Sequence, residues 1–337
     1  MPLYTDLLSQ LCAKEDLREE QVRAFWAGVL GGHFSDIELG ALLIALKCKG
    51  ESPQEIAFSV QACLQESQAL KAPLGGVVDN CGTGGDGNRS FNISTISAFV
   101  CATLGVKMAK AGNYSSSGSG SAEFLEHLSF NLRLSPKQVH QSLDLTNFAF
   151  LFAPIFYPSF AKVAPLRKAL KTRTLFNLLG PLLNPLRPKA QLLGVATPKL
   201  CYPLACTLQN LGLERALVVH GSGCDEIAVH GKTLVCELRK GQIKQYMLEP
   251  KDFGLKSHPL EALKVQSVQE SVRICLDLLQ GGGSEAQKAS VIANSAGVLF
   301  VAGRVKDFRE GAKLARECLE SKQAYTHLQR MVQLSHA

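Results

Sequence analysis

Two short segments rich in glycine and serine contain the residues best suited to chemistry. The first loop (residues 82–87) has four glycines in six residues, and Ser94 and Thr95 follow it at the start of a predicted helix. The second loop (residues 110–121) combines a lysine and an asparagine with a run of glycines and serines. Glycine lets backbone N–H groups converge on one point, and the amino end of a helix attracts negative charge. One such loop is typical of a phosphate site, so two adjacent loops predict a ligand with two phosphate groups.

The first loop differs from two common phosphate-binding motifs. It is not a P-loop, because no Gly-Lys-Ser/Thr follows, and its glycine spacing is not that of a dinucleotide-binding fingerprint. A tight turn that binds nothing is the alternative, although turns seldom need so many glycines. Asp79 and Asp86 are explained equally well by contact with ligand hydroxyl or amine groups and by capping of the turn.

Lys110 begins the second loop at the end of a predicted strand, where its ammonium group could meet a phosphate as a point charge. An exposed lysine at a strand end is the alternative, and the adjoining glycines and serines favour the phosphate role. Glu123 lies at the start of the next predicted helix, where a carboxylate complements the helix dipole whatever the function.

Adjacent carboxylates at Asp225 and Glu226 follow an apolar strand predicted over 215–220. Two such groups repel each other unless a cation is present, and Mg²⁺ takes few carboxylates while sharing phosphate oxygens with the ligand. The pair therefore predicts a magnesium site, with a solvated turn as the alternative. Arg167 either holds a carboxylate in a bidentate fork or lies on the surface of a helix.

The composition is that of an ordinary globular protein: 337 residues, 46% hydrophobic, 19% charged and a net charge of +7. This mild positive charge suits anionic small ligands as well as nucleic acid, so it does not distinguish between the two classes of ligand. The eleven cysteines form no Cys-x-x-Cys pair, so we expect reduced thiols and a cytoplasmic location. We expect no signal peptide, and the longest apolar stretches are too short to cross a membrane.

Hydrophobic periodicity predicts an amino-terminal helical region followed by alternating strands and helices. The early helices are expected over 17–30, 35–47 and 52–66, with Ser35 and Ser52 as N-caps. A turn-rich stretch at 71–76 is the candidate boundary. Strands are then predicted over 76–79, 106–110, 191–195 and 215–220, with a hairpin over 234–247. Helices are predicted over 94–104, 122–128, 199–211, 268–279, 286–302 and 307–321. This alternation is typical of a parallel sheet covered on both faces.

These motifs together resemble the anthranilate phosphoribosyltransferase family. The resemblance rests on the first loop with 91–95, on Lys110 to Asn113, on 119–122, on 173–188 and on the region from Val219 to Glu226. The resemblance covers nearly the whole chain. The combination of these motifs is specific for the family, whereas no single motif would be.

The resemblance implies an α/β enzyme with a mainly parallel central sheet flanked by helices, in two domains. A small helical domain (1–70) would be joined by helices from about 160–185, and a larger α/β domain (71–337) would bind phosphoribosyl pyrophosphate. The implied enzyme is a homodimer that transfers phosphoribose to anthranilate in tryptophan synthesis, assisted by Mg²⁺. A membrane is not expected as a partner, and nucleic acid is not favoured.

The resemblance also assigns residues to three groups of contacts. The donor-binding residues would be Gly82, Thr83, Gly85, Asp86, Asn92, Ser94, Thr95, Lys110 and Ser119. The acceptor-binding residues would be Gly82, Asn113 and Arg167, and the metal ligands Ser94, Asp225 and Glu226. No general base is assigned, because an aromatic amine is already nucleophilic.

Four positions depart from the family's usual pattern, and the second loop is one residue shorter. Ala111, Tyr114, Gly118 and Tyr157 stand where the family usually has His, Arg, Lys and His. Two further hypotheses therefore follow: that the chain binds the donor more weakly than the family does, or that it uses a different acceptor. The alternatives are a related phosphoribosyltransferase or nucleoside phosphorylase, and a non-catalytic homologue that binds nucleic acid.

Overall fold

The computed structural model describes residues 3–67, 70, 76–115, 118 and 120–337. These residues form an amino-terminal helical bundle and a larger α/β region, which confirms the predicted fold class. Within those ranges no helix combines the length and the apolar character needed to span a bilayer.

The amino-terminal bundle consists of four helices: α1 (Leu3–Cys12), α2 (Glu19–Gly31), α3 (Asp36–Lys49) and α4 (Pro53–Gln65). Ser35 and Ser52 cap α3 and α4, because each hydroxyl accepts a hydrogen bond from the backbone N–H three residues on. Both predicted caps are confirmed. The ring of Trp26 is completely buried inside this bundle.

The α/β region is built on seven strands: β1 (Val78–Gly82), β2 (Met108–Gly112), β3 (Phe148–Phe152), β4 (Ala190–Gly194), β5 (Arg215–Gly221), β6 (Thr233–Arg239) and β7 (Gln242–Leu248). Their order is β3-β2-β1-β4-β5-β6-β7. The first five strands of that order are parallel, and β6 and β7 form the predicted antiparallel hairpin. Lys240 and Gly241, both at positive φ, make its two-residue turn.

Helices cover both faces of this sheet, and α13 at its centre is buried along nearly its whole length. The set comprises α5 (Ile93–Thr103), α6 (Ser121–His127), α7 (Pro136–Thr146), α8 (Ala153–Phe156), α9 (Ala164–Leu170), α10 (Leu175–Leu179), α11 (Cys201–Asn210), α12 (Val268–Leu279), α13 (Glu285–Val301), α14 (Phe308–Glu320) and α15 (Gln323–Ser335). The predicted helices match within three residues at each end. Strand β3 and helices α1, α7, α8 and α15 were not predicted, whereas α9 and α10 lie in the region from about 160–185 where the resemblance implied helices.

The chain from α8 to α10 leaves the sheet and packs on the amino-terminal bundle. The Trp26 ring stacks on Phe160 and meets Phe176 edge-on, at centroid distances of 6.1 and 5.3 Å. Helix α9 lies against α3, and α10 lies against α4. These contacts place Arg167, on α9, beside the bundle rather than beside the sheet helices.

Candidate active site

The two loops lie at the carboxyl edge of the parallel sheet. From β1 the chain moves outward through β2 to β3, and it returns on the other side of β1 to form β4 and β5. Such a reversal of strand order opens a crevice at the carboxyl ends of the strands, where α/β proteins bind ligands. The segments after β1, β2 and β5 all reach this crevice, and they contain most of the predicted site residues.

The first loop is held by the backbone of β4 and by the Asp225 carboxylate. The Thr83 N–H donates to Gly194 O (2.9 Å), and the Gly84 N–H donates to Asp225 Oδ2 (2.7 Å). A Cβ on Gly82 would lie 2.3 Å from Asp225 Oδ2, and a Cβ on Gly194 would lie 1.7 Å from the Asp225 carbonyl oxygen. Glycine at these two positions is therefore required by the close approach of the Asp225 segment.

Lys110 is buried beneath this loop, with only 2% of its surface exposed. Its Nζ donates to Asn80 O (2.5 Å) and to Ser94 Oγ (3.2 Å). The alternative of an exposed strand-end lysine is therefore wrong. The ammonium group instead lies at the amino end of α5, so a cation and a helix dipole of the same sign act at one place.

Three carboxylates line the same crevice. Burial, and then the charge of Asp225, raises the pKa of Glu226, while Lys110 and the Ser94 N–H oppose this shift. Burial, and then the charge of Asp86, likewise raises the pKa of Asp225. The raised pKa values favour a cation site over a fully solvated turn. A bound cation would stabilise the ionised form of these carboxylates, which burial and mutual repulsion otherwise disfavour.

The oxygen atoms at this place fit Mg²⁺, which prefers carboxylate and hydroxyl ligands and retains room for phosphate oxygens. Ser94, Asp225 and Glu226 would supply the protein oxygens. In the part of the chain that the structure describes, no group of three or more His, Cys, Asp or Glu residues is arranged to hold a metal alone. A cation here would therefore need oxygens from a ligand as well.

Asp79 has neither of the roles expected from the sequence. It is completely buried in β1, where Oδ1 accepts from the Ala111 N–H (3.3 Å) and Oδ2 from Asn184 Nδ2 (2.8 Å). Asn184 Nδ2 also donates to Ala109 O (2.7 Å). Burial raises the pKa of Asp79 to about 6, against the charge of Lys110. Asp79 thus joins the strands that lead into the two loops.

The other donor-binding candidates lie around the same crevice. Asp86 accepts hydrogen bonds from Asn88, and the Asn92 carboxamide oxygen accepts from Ser271 Oγ (2.8 Å). The Thr95 side chain is completely buried, and within the described residues its hydroxyl has no hydrogen-bond partner. Ser119 lies outside the described residues.

Arg167 is the cationic candidate for the acceptor. Its guanidinium carbon lies 4.9 Å from the centre of the Phe176 ring, and burial lowers its pKa. Among the described residues this guanidinium has no hydrogen-bond or ion-pair partner, so its donors are free for a carboxylate. The ring contact also orients it, because guanidinium planes stack on aromatic faces. Asn113, the second candidate, is exposed, and its side-chain oxygen accepts from the Tyr114 N–H (2.8 Å).

The four positions at which the resemblance expects other residues are occupied here by two tyrosines that bond to other parts of this chain and by two residues without a polar side chain. The Tyr114 hydroxyl donates to Glu126 Oε1 (2.6 Å), and its ring meets Phe152 edge-on. The Tyr157 side chain is 6% exposed, and its hydroxyl donates to Leu183 O (3.2 Å). Ala111 is buried in β2, and Gly118 is exposed at a φ of +73°. None of these four supplies a cation to the crevice.

The contact between Arg173 and the first loop was not predicted from the sequence. Its Nη1 donates to Gly84 O (2.7 Å), and its Nη2 donates to Thr83 O (3.2 Å). The sequence shows only a basic residue in a segment dense with arginine, lysine and proline. No periodicity or spacing links it to a loop that lies about ninety residues earlier.

Comparison with known proteins agrees with this geometry. Residues 74–325 match a model described as glycosyl transferase family, a/b domain, and residues 5–67 match its helical bundle domain. The anthranilate phosphoribosyltransferase of Helicobacter pylori (strain HPAG1) is 44% identical, over 98% of this chain and 99% of the relative. That of Idiomarina loihiensis is 45% identical, over 96% of each chain.

Two solved structures share the fold over almost the full length. Anthranilate phosphoribosyltransferase from Thermus thermophilus superposes with a TM-score of 0.93 at 38% identity, covering 98% of this chain and 100% of that one. The enzyme from Saccharomyces cerevisiae, in complex with PRPP and Mg, gives 0.89 at 26% identity, covering 99% and 98%. The resemblance inferred from the motifs is confirmed, and the chain belongs to the anthranilate phosphoribosyltransferase family.

Proposed function

We propose that this chain transfers phosphoribose from phosphoribosyl pyrophosphate to the amine of anthranilate, as its relatives' name states, for tryptophan biosynthesis. One observation carries the proposal: a glycine-rich loop, a buried lysine, a helix amino end and a carboxylate pair meet at one edge of the sheet. A donor with two phosphate-bearing ends and a metal ion needs each of these groups.

The donor would lie along the first loop and the amino end of α5. Backbone N–H groups of the loop, the hydroxyls of Ser94 and Thr95 and the side chain of Asn92 would contact its phosphates and ribose. Lys110 would stabilise the negative charge that builds on the leaving pyrophosphate, because it is already fixed in a buried position. Gly82, Thr83, Gly85, Asp86 and Ser119 complete the proposed donor contacts.

Mg²⁺ would be held by Ser94, Asp225 and Glu226 together with donor oxygens. When bound, it would neutralise part of the pyrophosphate charge. Binding would also relieve the repulsion between the two carboxylates, whose pKa values are raised.

The acceptor would lie between the first loop and α9. Arg167 would hold the anthranilate carboxylate, with Asn113 and Gly82 beside it. The amine nitrogen would form a bond to C1 of the ribose while the bond from C1 to pyrophosphate breaks, and the amine would then release a proton to solvent. Placement of the amine in line with C1 supplies much of the acceleration.

The domain division and the assembly are part of the same proposal. We propose a helical domain of residues 1–70 joined by α9 and α10, and an α/β domain of 71–337, with the site between them. We also propose a homodimer, as the family resemblance implies. Free thiols at all eleven cysteines support a cytoplasmic location.

A different acceptor is the second candidate, favoured by Tyr157 and Ala111 in place of histidines. The buried Tyr157 hydroxyl is already bonded to Leu183 O. It therefore cannot serve an acceptor as a free imidazole would. A panel of aromatic amines, with and without an ortho carboxylate, separates the two candidates by their kcat/KM values.

The test of the main proposal is the loss of anthranilate fluorescence in the presence of phosphoribosyl pyrophosphate and Mg²⁺. No loss at high enzyme concentration would reject it. Arg167→Ala should raise the anthranilate KM about tenfold to a hundredfold, because charge-assisted hydrogen bonds contribute about 1.5–3 kcal/mol. Lys168→Ala, which removes an exposed cation from the same helix, is the matched control. An unchanged anthranilate KM in Arg167→Ala would remove Arg167 from the site.

A further inference from the structure

Arg173 lies in the turn between α9 and α10, where two consecutive residues contact two different parts of the molecule. The Thr172 hydroxyl accepts a hydrogen bond from Lys47 Nζ on α3. The guanidinium of Arg173, the next residue, donates to Gly84 O and Thr83 O in the first loop. This turn therefore joins the amino-terminal bundle to the first loop across the crevice.

The guanidinium lies directly against the first loop. A Cβ on Gly85 would lie 1.6 Å from Arg173 Nη1, and Gly85 also has a φ of +79°. Gly87 has nearly the same φ, +78°, yet a Cβ there would have nothing within 4 Å. Backbone conformation therefore favours glycine at both positions, and a Cβ at 85 would in addition displace the Arg173 guanidinium.

The two bonds fix the orientation of two successive peptide units in the loop. In a planar trans peptide the C=O and the following N–H point in opposite directions. With Gly84 O directed at Arg173, the Gly85 N–H points away from it. Within the described part of the chain this N–H has no hydrogen-bond acceptor, so it is available to an anion.

The two helices on either side of this turn hold the acceptor candidate. At the start of α10 the Thr174 N–H donates to Asn177 Oδ1 (3.0 Å), and the ring of Phe176 in that helix contacts the guanidinium of Arg167. Arg173 is therefore connected through one capped turn to Arg167 and through two hydrogen bonds to the first loop.

We propose that Arg173 is a positioning residue that holds the acceptor-binding segment in register with the first loop and turns the Gly85 N–H toward the donor. This inference rests on the proposed function, because it assigns the donor to the first loop and the acceptor to Arg167. Arg173 acts on the reaction through the geometry of both substrates and not through contact with the reacting atoms.

The kinetic signature of this role differs from that of Arg167. Arg173→Ala should lower kcat about tenfold to a hundredfold and raise the KM values of both substrates, since a displacement near 1 Å costs this much. Arg167→Ala should change mainly the KM of the acceptor. Arg173→Lys retains the charge but cannot fork between two carbonyl groups, so it should recover only part of kcat.

A double-mutant cycle tests the same contact from the loop. Gly85→Ala should lower kcat more than Gly87→Ala, because the two share backbone strain and only the first displaces Arg173. On the Arg173→Ala background, Gly85→Ala should lower kcat by no more than Gly87→Ala does. Thermal midpoints of all variants, recorded with the kinetics, separate a loss of folded protein from a loss of positioning.

The outcomes are distinct. Wild-type protein that consumes no anthranilate rejects the proposed function, and this inference with it. An active wild type with Arg173→Ala within twofold of it rejects the role of Arg173 and leaves the proposed function standing. If Arg173→Ala does not fold, Arg173→Lys and the Gly85/Gly87 pair decide. Equal kcat values for Gly85→Ala and Gly87→Ala would then overturn the inference.

Discussion

The first and second loops resemble each other in sequence but are held in different ways. The first loop is fixed by residues distant in the chain, because Arg173, Gly194 and Asp225 all contact it. The second loop begins on β2, where Lys110 and Ala111 are held by the neighbouring segments, but beyond the strand its described residues contact the helix that follows: the Tyr114 hydroxyl donates to Glu126, and the Ser115 N–H donates to Glu123.

The departures expected from the resemblance follow the same division between the two loops. Three of the four unusual residues, Ala111, Tyr114 and Gly118, belong to the second loop, and none lies in the first. A loop fixed from several directions changes only if its distant contacts change too. A loop held by its own helix can exchange partners one residue at a time. We therefore expect substitutions to cost more at the supports of the first loop.

Gly194→Ala should give the largest effect. The new Cβ would lie 1.7 Å from a backbone oxygen that cannot rotate away. We expect a loss of about 4 kcal/mol in the free energy of unfolding, above the usual range for overpacking, and almost complete loss of activity. Urea denaturation measures the first and the fluorescence assay the second. Gly40→Ala in α3 is the control, because its Cβ would meet only ordinary contacts at 3.7 Å. Equal stability of both variants would contradict the assigned packing.

Asp79→Asn should change how stability depends on pH. The pKa of Asp79 is about 6 in the folded protein, above its ordinary value of 3.8. The favourable contribution of the protonated group is complete below pH 3.8 and is lost as the pH rises through 6. The stability advantage of wild type over Asp79→Asn should therefore shrink by about 2–3 kcal/mol between pH 4 and 7. Urea denaturation across this range measures it, and a constant difference would show that Asp79 does not titrate there.

Asp225→Asn should move stability and activity in opposite directions. Removing one of two repelling carboxylates should raise the free energy of unfolding by about 1 kcal/mol without metal, while the Mg²⁺ concentration for half-maximal rate rises about tenfold. Removal of Mg²⁺ with a chelator should stop the wild-type reaction. Glu20→Gln, an exposed carboxylate on α2, controls for net charge. A variant with an unchanged Mg²⁺ requirement would exclude Asp225 as a ligand.

Tyr114→Phe should give the smallest effect, because one exposed hydrogen bond is lost and the ring contact with Phe152 is kept. We expect the donor KM to rise about twofold to fivefold, with kcat unchanged. Tyr202→Phe, an exposed tyrosine on α11, is the control. A loss of activity as large as that caused by Gly194→Ala would contradict the contrast between the two loops.

Local patterns made much of the fold predictable, and long-range contacts limited the rest. Ser35 and Ser52 reveal their caps because a capping box spans only four residues. Strand β3 was missed because its run of Phe148–Phe152 lacks alternation, as is usual when both faces of a strand are covered. Helix α8 was missed, and helices α9 and α10 were expected only from the resemblance, because elements of four to seven residues are too short to show a helical periodicity.

The candidate site shows the same limit. The glycines of the first loop and the carboxylate pair could be read from residue type and spacing. The burial of Lys110, the strand-bridging role of Asp79 and the contacts of Arg173 could not. Each depends on strands or segments that meet only after the sheet has formed.

The pairing of β1 with β4 has a consequence for fragments of the chain. Val78 is aligned with Ala190, whereas the β6–β7 hairpin pairs residues such as Arg239 and Gln242 that are nearly adjacent. The hairpin can form early and locally, but the crevice exists only once more than a hundred intervening residues are in place. A ribosome-bound nascent chain that has not yet exposed β4 therefore has no assembled pocket, and catalytic competence arrives late in synthesis.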